Sequence, residues 1–501
     1  MRFKLTSILA LCLCATPAFA GNGKVLLDIW DIAYLGDGRA GYVHTFAKQI
    51  DVNGKKAIHT TIEVRLRVKR LDGIAEMSMD SGTIETMEGK VIGTFMRQGL
   101  GTNQQKVING VVVGKKLELT LNGTTPLEAA RWNPDVIGLF KQQNIFKDHD
   151  VKPGDKFDYL SFQPEINAVM KLEVVAKGQR EVLLKGAKQK SNLLLVETIP
   201  DKVEYMGTKI QLPVSQAWLN DKFEPVKTEA DVPGLGPLVT YRSTRALALA
   251  PVPIAQLTDI STNQLVKLKK RVPQPYETSA AVYRITIRDD DNVATTFSRD
   301  HRQEVKNVKG NTFELHVKAS NGGKADDGKE PGAEFTQSSY FITSDDPKVK
   351  DHARAAVGQE TDPRKKALRI EKWVHHQMKV SAEEALATAA HVARTLQGDC
   401  SEFSMLTAAM CRAEGVPSRT AIGLIYADVK GSPCFAFHMW AEVWIKGRWI
   451  PIDATLGNGY VGATHLKITD HAWHDERTMT PILPVVRVVG RVSIDIVSVE
   501  N

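Results

Sequence analysis

The chain is poor in cysteine: five residues in 501, two of them, Cys12 and Cys14, within the first twenty. An odd remainder of three (Cys400, Cys411 and Cys434) is not the disulfide framework of a small secreted domain, and at least one thiol stays free. No sign of charge dominates. The 65 Lys and Arg against 58 Asp and Glu leave a formal charge of +7, and the charges are interspersed. This reads as solvated faces rather than a nucleic-acid footprint. Past the amino terminus no apolar run is long enough to span a bilayer. There is no His-Glu-x-x-His and no Gly-rich phosphate loop ahead of a helix. His375-His376 and His391 make no zinc pattern, and Asp289-Asp290-Asp291 lacks the spaced ligands of a calcium loop and reads as a hairpin tip. No metal or cofactor is expected.

The composition present is that of a globular protein, and the length suggests two to four domains. "MRFKLTSILALCLCATPAFA" has a basic start, a short apolar stretch and a small-x-small end at Ala18-Phe19-Ala20, so residues 1–20 read as a secretory signal peptide. A lipid anchor is disfavoured, because Leu11 and Leu13 precede Cys12 and Cys14 where a small residue is expected. The mature chain is expected to be soluble and exported, periplasmic or extracellular. Residues 21–250 alternate apolar and polar, as in "HTTIEVRLRVKRL", with turns at Asn53-Gly54, Asp72-Gly73 and Asn122-Gly123. One helical insert is expected at "PDVIGLFKQQNIF". Residues 251–334 read as a second β module and linker, with a short helix at "ISTNQLVKLKKRV". Residues 335–501 then turn helical before returning to strands. Asp346-Pro347 and Asp362-Pro363 open two helices, and Ser381 with Glu384 makes a capping box for a third over "AEEALATAAHVARTLQ".

The chemistry-bearing residues lie in this last part. In "LQGDCSEFSML", Asp399 caps a helix with Glu402 three residues on, which puts Cys400 at the first helical position. There the helix dipole favours a thiolate, while Asp399 and Glu402 oppose it. Cys411, eleven residues along the same helix and about 16 Å away, cannot reach Cys400 and reads as core. "FHMWAEVWIKGRWIPIDAT" reads as a hairpin about Lys446-Gly447. If its loop is two residues, Ile445 pairs with Arg448, Trp440 lies opposite Asp453, and His438 is a diagonal neighbour of Asp453 on one face. A slip of one residue would separate them. Cys400, His438 and Asp453 then form a nucleophile, base and orienter. Singly each has a bland role: a structural thiol, a satisfied strand histidine, a turn cap. Trp440, Trp444 and Trp449 could wall a groove, Trp373 reads as core, and the Cys400 N–H is a candidate oxyanion donor ahead of Gln397.

"GDCSEFSMLTAAMCRAEGVPSRTAIGLIY" with "HMWAEVWIKGRWIPIDAT" resembles the bacterial transglutaminase-like family of papain-like cysteine enzymes. The resemblance rests on Gly398, Asp399, Cys400; Ala413, Gly415, Pro417, Arg419; His438, Trp440, Glu442; and Asp453, Thr455. Met439 departs from the small residue that usually follows the histidine. The resemblance covers Asp345 to Leu483. It implies an α+β fold, with a papain-like core of helices packed on an antiparallel sheet behind a large antiparallel β region. It also implies Cys-mediated acyl transfer from an amide of a protein or peptide, to water or to an amine. The rival from another class is a non-catalytic envelope protein whose β region binds a partner or polymer. Neither reading sets the oligomeric state.

Overall fold

The computed structural model of the chain describes residues 23–70, 73–100, 105–205, 207–232, 235–260, 265–320, 329–381, 386–474 and 480–501. The leader read in residues 1–20 lies outside them.

The first half is an antiparallel sheet of fourteen strands. A meander of β1 (Val25–Leu35), β2 (Gly38–Val52), β3 (Lys55–Arg70), β4 (Gly73–Thr86), β5 (Val91–Leu100), β6 (Gln105–Val113), β7 (Lys116–Leu121) and β8 (Thr125–Arg131) comes first. The expected insert follows as α1 (Leu139–Asp148). Then come β9 (Lys156–Gln163), β10 (Ala168–Val182), β11 (Ser191–Pro200), a ribbon of β12 (Val203–Tyr205) and β13 (Thr208–Ile210), and β14 (Ser215–Leu219), β15 (Pro225–Val232) and β16 (Gly236–Ser243). A short helix, α2 (Arg245–Ala248), ends this half. β16 pairs with β1 and β11 with β14, so the spatial order runs β8 to β1, then β16, β15, β14, β11, β10, β9.

Local sequence explains these strands. In β7, Leu117, Leu119 and Leu121 point inward while Lys116 and Glu118 face out. Asn53-Gly54 and Asn122-Gly123 both take positive φ at each residue (55° and 77°, 49° and 81°), the geometry a two-residue hairpin needs. Val136 bridges Leu160 of β9, which brings the chain leaving β8 against the far edge of the sheet.

From Val266 to Ile494 one continuous apolar core runs through the second half. β18 (Ala280–Ile287), β19 (Gln303–Lys309), β20 (Thr312–Lys318) and the C-terminal β27 (Val492–Glu500) make a four-stranded sheet. Tyr283, Ile285, Phe313 and Leu315 from it are fully buried. β18, β19 and β20, from the stretch 251–334 read above as a second β module and linker, therefore share a sheet and a core with 335–501. A chain begun at 335 would lose three of this sheet's four strands.

The helices α3 (Pro347–Val357) and α4 (Pro363–Gln377) start as expected, with Asp346 and Asp362 accepting backbone N–H bonds and Pro in the first turn. After β21 (Lys379–Val380), α5 (Ala389–Thr395) and β22 (Gln397–Gly398) comes α6 (Cys400–Ala413), buried almost throughout. It packs on α3, α4 and α5 and against a second sheet. That sheet holds β17 (Val266–Lys267), β23 (Ser418–Val429), β24 (Ser432–Ile445), β25 (Arg448–Ile452) and β26 (His465–His471), in the order β17-β24-β23-β26 with β25 also on β24.

Two helices differ from expectation. Where "ISTNQLVKLKKRV" suggested one, residues 261–264 lie outside the described residues and Val266–Lys267 is a strand on β24. Val266 and Leu268 are buried and Lys267 exposed, a period of two that the sheet edge selects over the helical pattern. Helix α5 begins only after Thr388, which caps it; residues 382–385, with Glu384 of the expected capping box, lie outside the described residues. Leu386 and Ala387 stay out of the helix because their N–H groups bond Ser401 Oγ (3.2 Å) and Glu402 Oε1 (2.8 Å).

Candidate active site

The start of α6 is built by its own first residues. Asp399 Oδ1 accepts the Ser401 N–H at 2.7 Å, and Glu402 Oε2 accepts the Asp399 N–H at 2.9 Å, a reciprocal capping box. Glycine is required before it: a Cβ on Gly398, at φ 151°, would lie 2.3 Å from the Glu402 Cβ. Cys400 is thereby held half-buried at the first helical position, and all three described cysteines are free thiols.

The strand register that decides the site is the one the sequence reading required. Ile445 pairs with Arg448, Val443 with Ile450 and Ala441 with Ile452. The turn is closed by Lys446 and Gly447 at φ 49° and 83°. Asp453 thus follows β25 opposite Trp440, and His438 lies diagonally across from it. The His438 Nε2 is 2.8 Å from Asp453 Oδ2. The Cys400 thiol is the other side chain that acts on this imidazole, and like Asp453 it favours the charged ring. The structure therefore brings Cys400, His438 and Asp453 into one connected group.

The electrostatics follow from burial and pairing. Burial alone would lower His438, but the Asp453 charge and hydrogen bond, with Cys400 beyond, hold the imidazole well above its ordinary range. Asp453 is itself buried, and against that burial the His438 and His465 contacts hold its carboxyl far below the usual carboxylate range.

Sequence reasoning missed two contributors. His465 of β26 is fully buried, and its Nε2 lies 3.0 Å from the same Asp453 Oδ2. Burial lowers His465, so it stays a neutral N–H donor. The other contributor is Glu371 of α4. Its Oε1 accepts the backbone N–H of Asp453 (3.3 Å) and of Gly459 (3.1 Å), which fixes the chain leaving β25. A signal for it existed: Glu371 sits among Ala367, Ile370 and Val374 on the buried side of α4.

Each of the two carries a prediction. Replacing His465 with leucine removes one hydrogen bond to a buried charge. The reaction of Cys400 with iodoacetamide at pH 6.5 should slow about tenfold or more, and His465→Gln, which keeps a donor, should recover most of it. Glu371 is pushed up to about 7 by burial. A raised acid contributes stability that is present below its unfolded value and lost as pH rises through the folded one. Thermal stability should therefore decline between roughly pH 4.5 and 7 by on the order of 2–3 kcal/mol on this account, and Glu371→Gln should flatten the decline in a melting series.

Other motif residues are structural. Arg419 donates to Glu442 Oε2 at 2.8 Å and pairs with Asp470 at 2.7 Å, while Lys467 bonds Glu442 Oε1 at 3.1 Å. These fully or largely buried charges compensate one another on the sheet behind the site. The expectation of a tryptophan-walled groove fails for Trp440, which is 0% exposed, and for Trp449, which is 7% exposed. Trp449 is covered by the Arg419 guanidinium, 4.1 Å from its ring centre. Trp373 is half-buried against His352, and Gln397 is exposed. Asp290 is engaged by Arg487 at 2.7 and 2.8 Å, so the aspartate run serves ion pairing.

Residues 350–454, from within α3 to the residue after Asp453, match the family model described as the transglutaminase-like superfamily. This part of the chain is a transglutaminase-like domain. No curated protein matches the chain in sequence. Among solved structures the chain is similar to a candidate cysteine protease from Cytophaga hutchinsonii, at 17% identity over 43% of this chain and 83% of that one, with a TM-score of 0.29. It is also similar to a β-barrel-like protein of unknown function from Brucella abortus (13% identity, 44% and 98% covered, TM-score 0.30). A candidate protease from Parabacteroides distasonis matches at 10% identity, 75% and 68% covered, with a TM-score of 0.19. The matched family segment contains Cys400, His438 and Asp453; His465 lies beyond its end.

Proposed function

We propose that the chain is an exported cysteine enzyme whose transglutaminase-like domain transfers an acyl group from a protein or peptide amide through a thioester on Cys400. The observation that carries this is one imidazole acted on by two groups: His438 Nε2 bonds the buried Asp453 carboxylate, and the Cys400 thiol also acts on the ring. In this reading His438 takes the thiol proton, and the thiolate adds to the amide carbonyl. The tetrahedral oxyanion is received by N–H groups at the start of α6, with that of Cys400 first among them. His438 then returns the proton to the departing amine and the C–N bond breaks, leaving the thioester. Water or an amine, deprotonated by His438, adds next and releases the product with the thiol restored. Asp453 keeps the imidazole oriented and its cation stabilised. The papain-like order of a thiol on a helix start, a base on a strand and an acid on the neighbouring strand supports this assignment. The basic, apolar and small-residue pattern of residues 1–20 supports export.

The test is mass spectrometry of the intact protein after brief exposure to a peptide library. An acyl adduct at Cys400, absent from Cys400→Ala and discharged by water or by an added primary amine, is the expected result. No adduct with any peptide, together with unchanged labelling by thiol probes in Cys400→Ala, would overturn it. The discharge products also tell hydrolysis from cross-linking.

A further inference from the structure

The Cys400 site does not consist of the C-terminal part alone. Arg70, the last residue of β3 in the N-terminal sheet, places Nη2 in an ion pair with Asp399 Oδ2, 329 positions away. Asp399 is 7% exposed and adjoins the nucleophile. Its other oxygen is taken by the Ser401 N–H (2.7 Å) and Ser401 Oγ (2.8 Å). Ser401 Oγ also lies 3.0 Å from Glu402 Oε1. One hydroxyl proton cannot serve two carboxylates. Burial first, and then the Asp399 charge, push the Glu402 carboxyl up toward its protonated form. A protonated Glu402 that donates to Ser401, which donates to Asp399, satisfies the chain. Arg70 is the cation paired with Asp399.

The placement of Arg70 is built. Its neighbour Lys69 donates its N–H to Thr258 O (2.9 Å) and accepts the Ile260 N–H (3.0 Å). The chain of 258–260 leads on to β17, whose Val266 pairs with Phe435 of β24, the strand that carries His438. Residues 258–260 thus bond the strand that delivers Arg70, and Val266–Lys267 bond the strand that delivers the base.

We propose that Arg70 is a positioning residue of the Cys400 site: it neutralises Asp399 beside the nucleophile, favours the thiolate–imidazolium form of the Cys400–His438 pair, and so makes reactivity depend on docking of the N-terminal sheet. This rests on Cys400 being the nucleophile. The charged and titratable groups around the thiol are Asp399 and Glu402 on its own helix, His438 on β24, Asp453 after β25 with His465 behind it, and Arg70 from β3. With Glu402 protonated and Asp453 paired with His438, the acid left beside the thiol is Asp399, and a thiolate next to it without Arg70 would face uncompensated like charge. Burial works against the Arg70 charge, and Asp399 first among its neighbours outweighs that burial and holds the guanidinium charged. The N-terminal sheet is then part of the site, and its partner is the C-terminal domain of the same chain.

The experiment is the rate of Cys400 alkylation by iodoacetamide against pH in the full chain, read by peptide mass spectrometry. Arg70→Gln should slow alkylation about tenfold at pH 6, with the loss closing toward pH 9.5, as when thiolate is made less available. Arg70→Lys should restore most of the rate. Arg70→Met, which keeps the apolar stem, repeats the test should the glutamine variant not fold. With Asp399→Asn in place, which retains a capping oxygen, loss of Arg70 should have little further effect. Arg67→Gln on the same strand, exposed and paired with Glu76, is the control and should match wild type. Profiles for Arg70→Gln or Arg70→Met that superimpose on wild type would overturn the proposal while leaving Cys400 the nucleophile. A wild-type Cys400 no more reactive at pH 6 than a free thiol would instead overturn the nucleophile reading and this proposal with it.

Discussion

Replacing His438 with alanine should lower kcat/KM for amide turnover by about 10³-fold while leaving the fold intact. His438 is 8% exposed and lies between the Cys400 thiol and the Asp453 carboxylate. In the proposed mechanism alanine removes the group that accepts the thiol proton and later returns it to the leaving amine. The deficit should depend on pH in a way a packing defect would not. Alkylation of Cys400 at pH 6 should fall steeply, and near pH 10 it should approach wild type, because bulk base then supplies the thiolate. Equal losses at both pH values would point to a displaced Cys400 rather than a missing base.

The second large effect is expected at Asp453. Asp453→Asn should reduce turnover by about 10³- to 10⁴-fold, although the substitution is nearly isosteric. Asp453 Oδ2 receives both His438 at 2.8 Å and His465 at 3.0 Å. The amide carries no charge to hold an imidazolium, and its NH₂ cannot accept from either ring. Burial is then opposed by Cys400 alone rather than by Asp453, and the imidazole moves down, toward the neutral ring. The alkaline limb of the pH profile, which in the wild type reflects a histidine held above its ordinary range, should move to lower pH. Acid stability should change as well. A depressed carboxyl contributes stability above its unfolded value of about 4, and this is lost as pH falls. Asp453→Asn should lack that contribution, visible as a weaker acid-side slope in a melting series. A variant retaining a tenth or more of wild-type turnover would argue that Asp453 is a structural cap rather than the orienter.

Much of the site is legible because its instructions are local. The Asp399–Glu402 box, the Pro-initiated helices after Asp346 and Asp362, and the positive-φ turns at Asn53-Gly54 and Lys446-Gly447 each act over two to four residues. The Lys446-Gly447 turn then transmits its effect by counting. A two-residue loop sets Ile445 against Arg448, and alternation along the strands carries His438 and Asp453 to one face. Where a local pattern was ambiguous, tertiary pairing decided. Val266–Lys267 became an edge strand because β24 offered unpaired backbone there, and the expected helix through Leu386 and Ala387 gave way because their N–H groups brace Ser401 and Glu402.

By itself, then, the sequence determined the helix start that bears Cys400, the hairpin that aligns His438 with Asp453, and the β character of the first half. All of these are short-range consequences of caps, turns and alternation. Only the tertiary structure decided that His465 and Glu371 hold Asp453, that Trp440 and Trp449 are core, that β18, β19 and β20 share a sheet with the C-terminal strand, and that Arg70 reaches Asp399. The physical reason is the range of the contact. A buried polar group needs a partner, but which partner it meets depends on how distant elements pack, and no spacing along the chain encodes that.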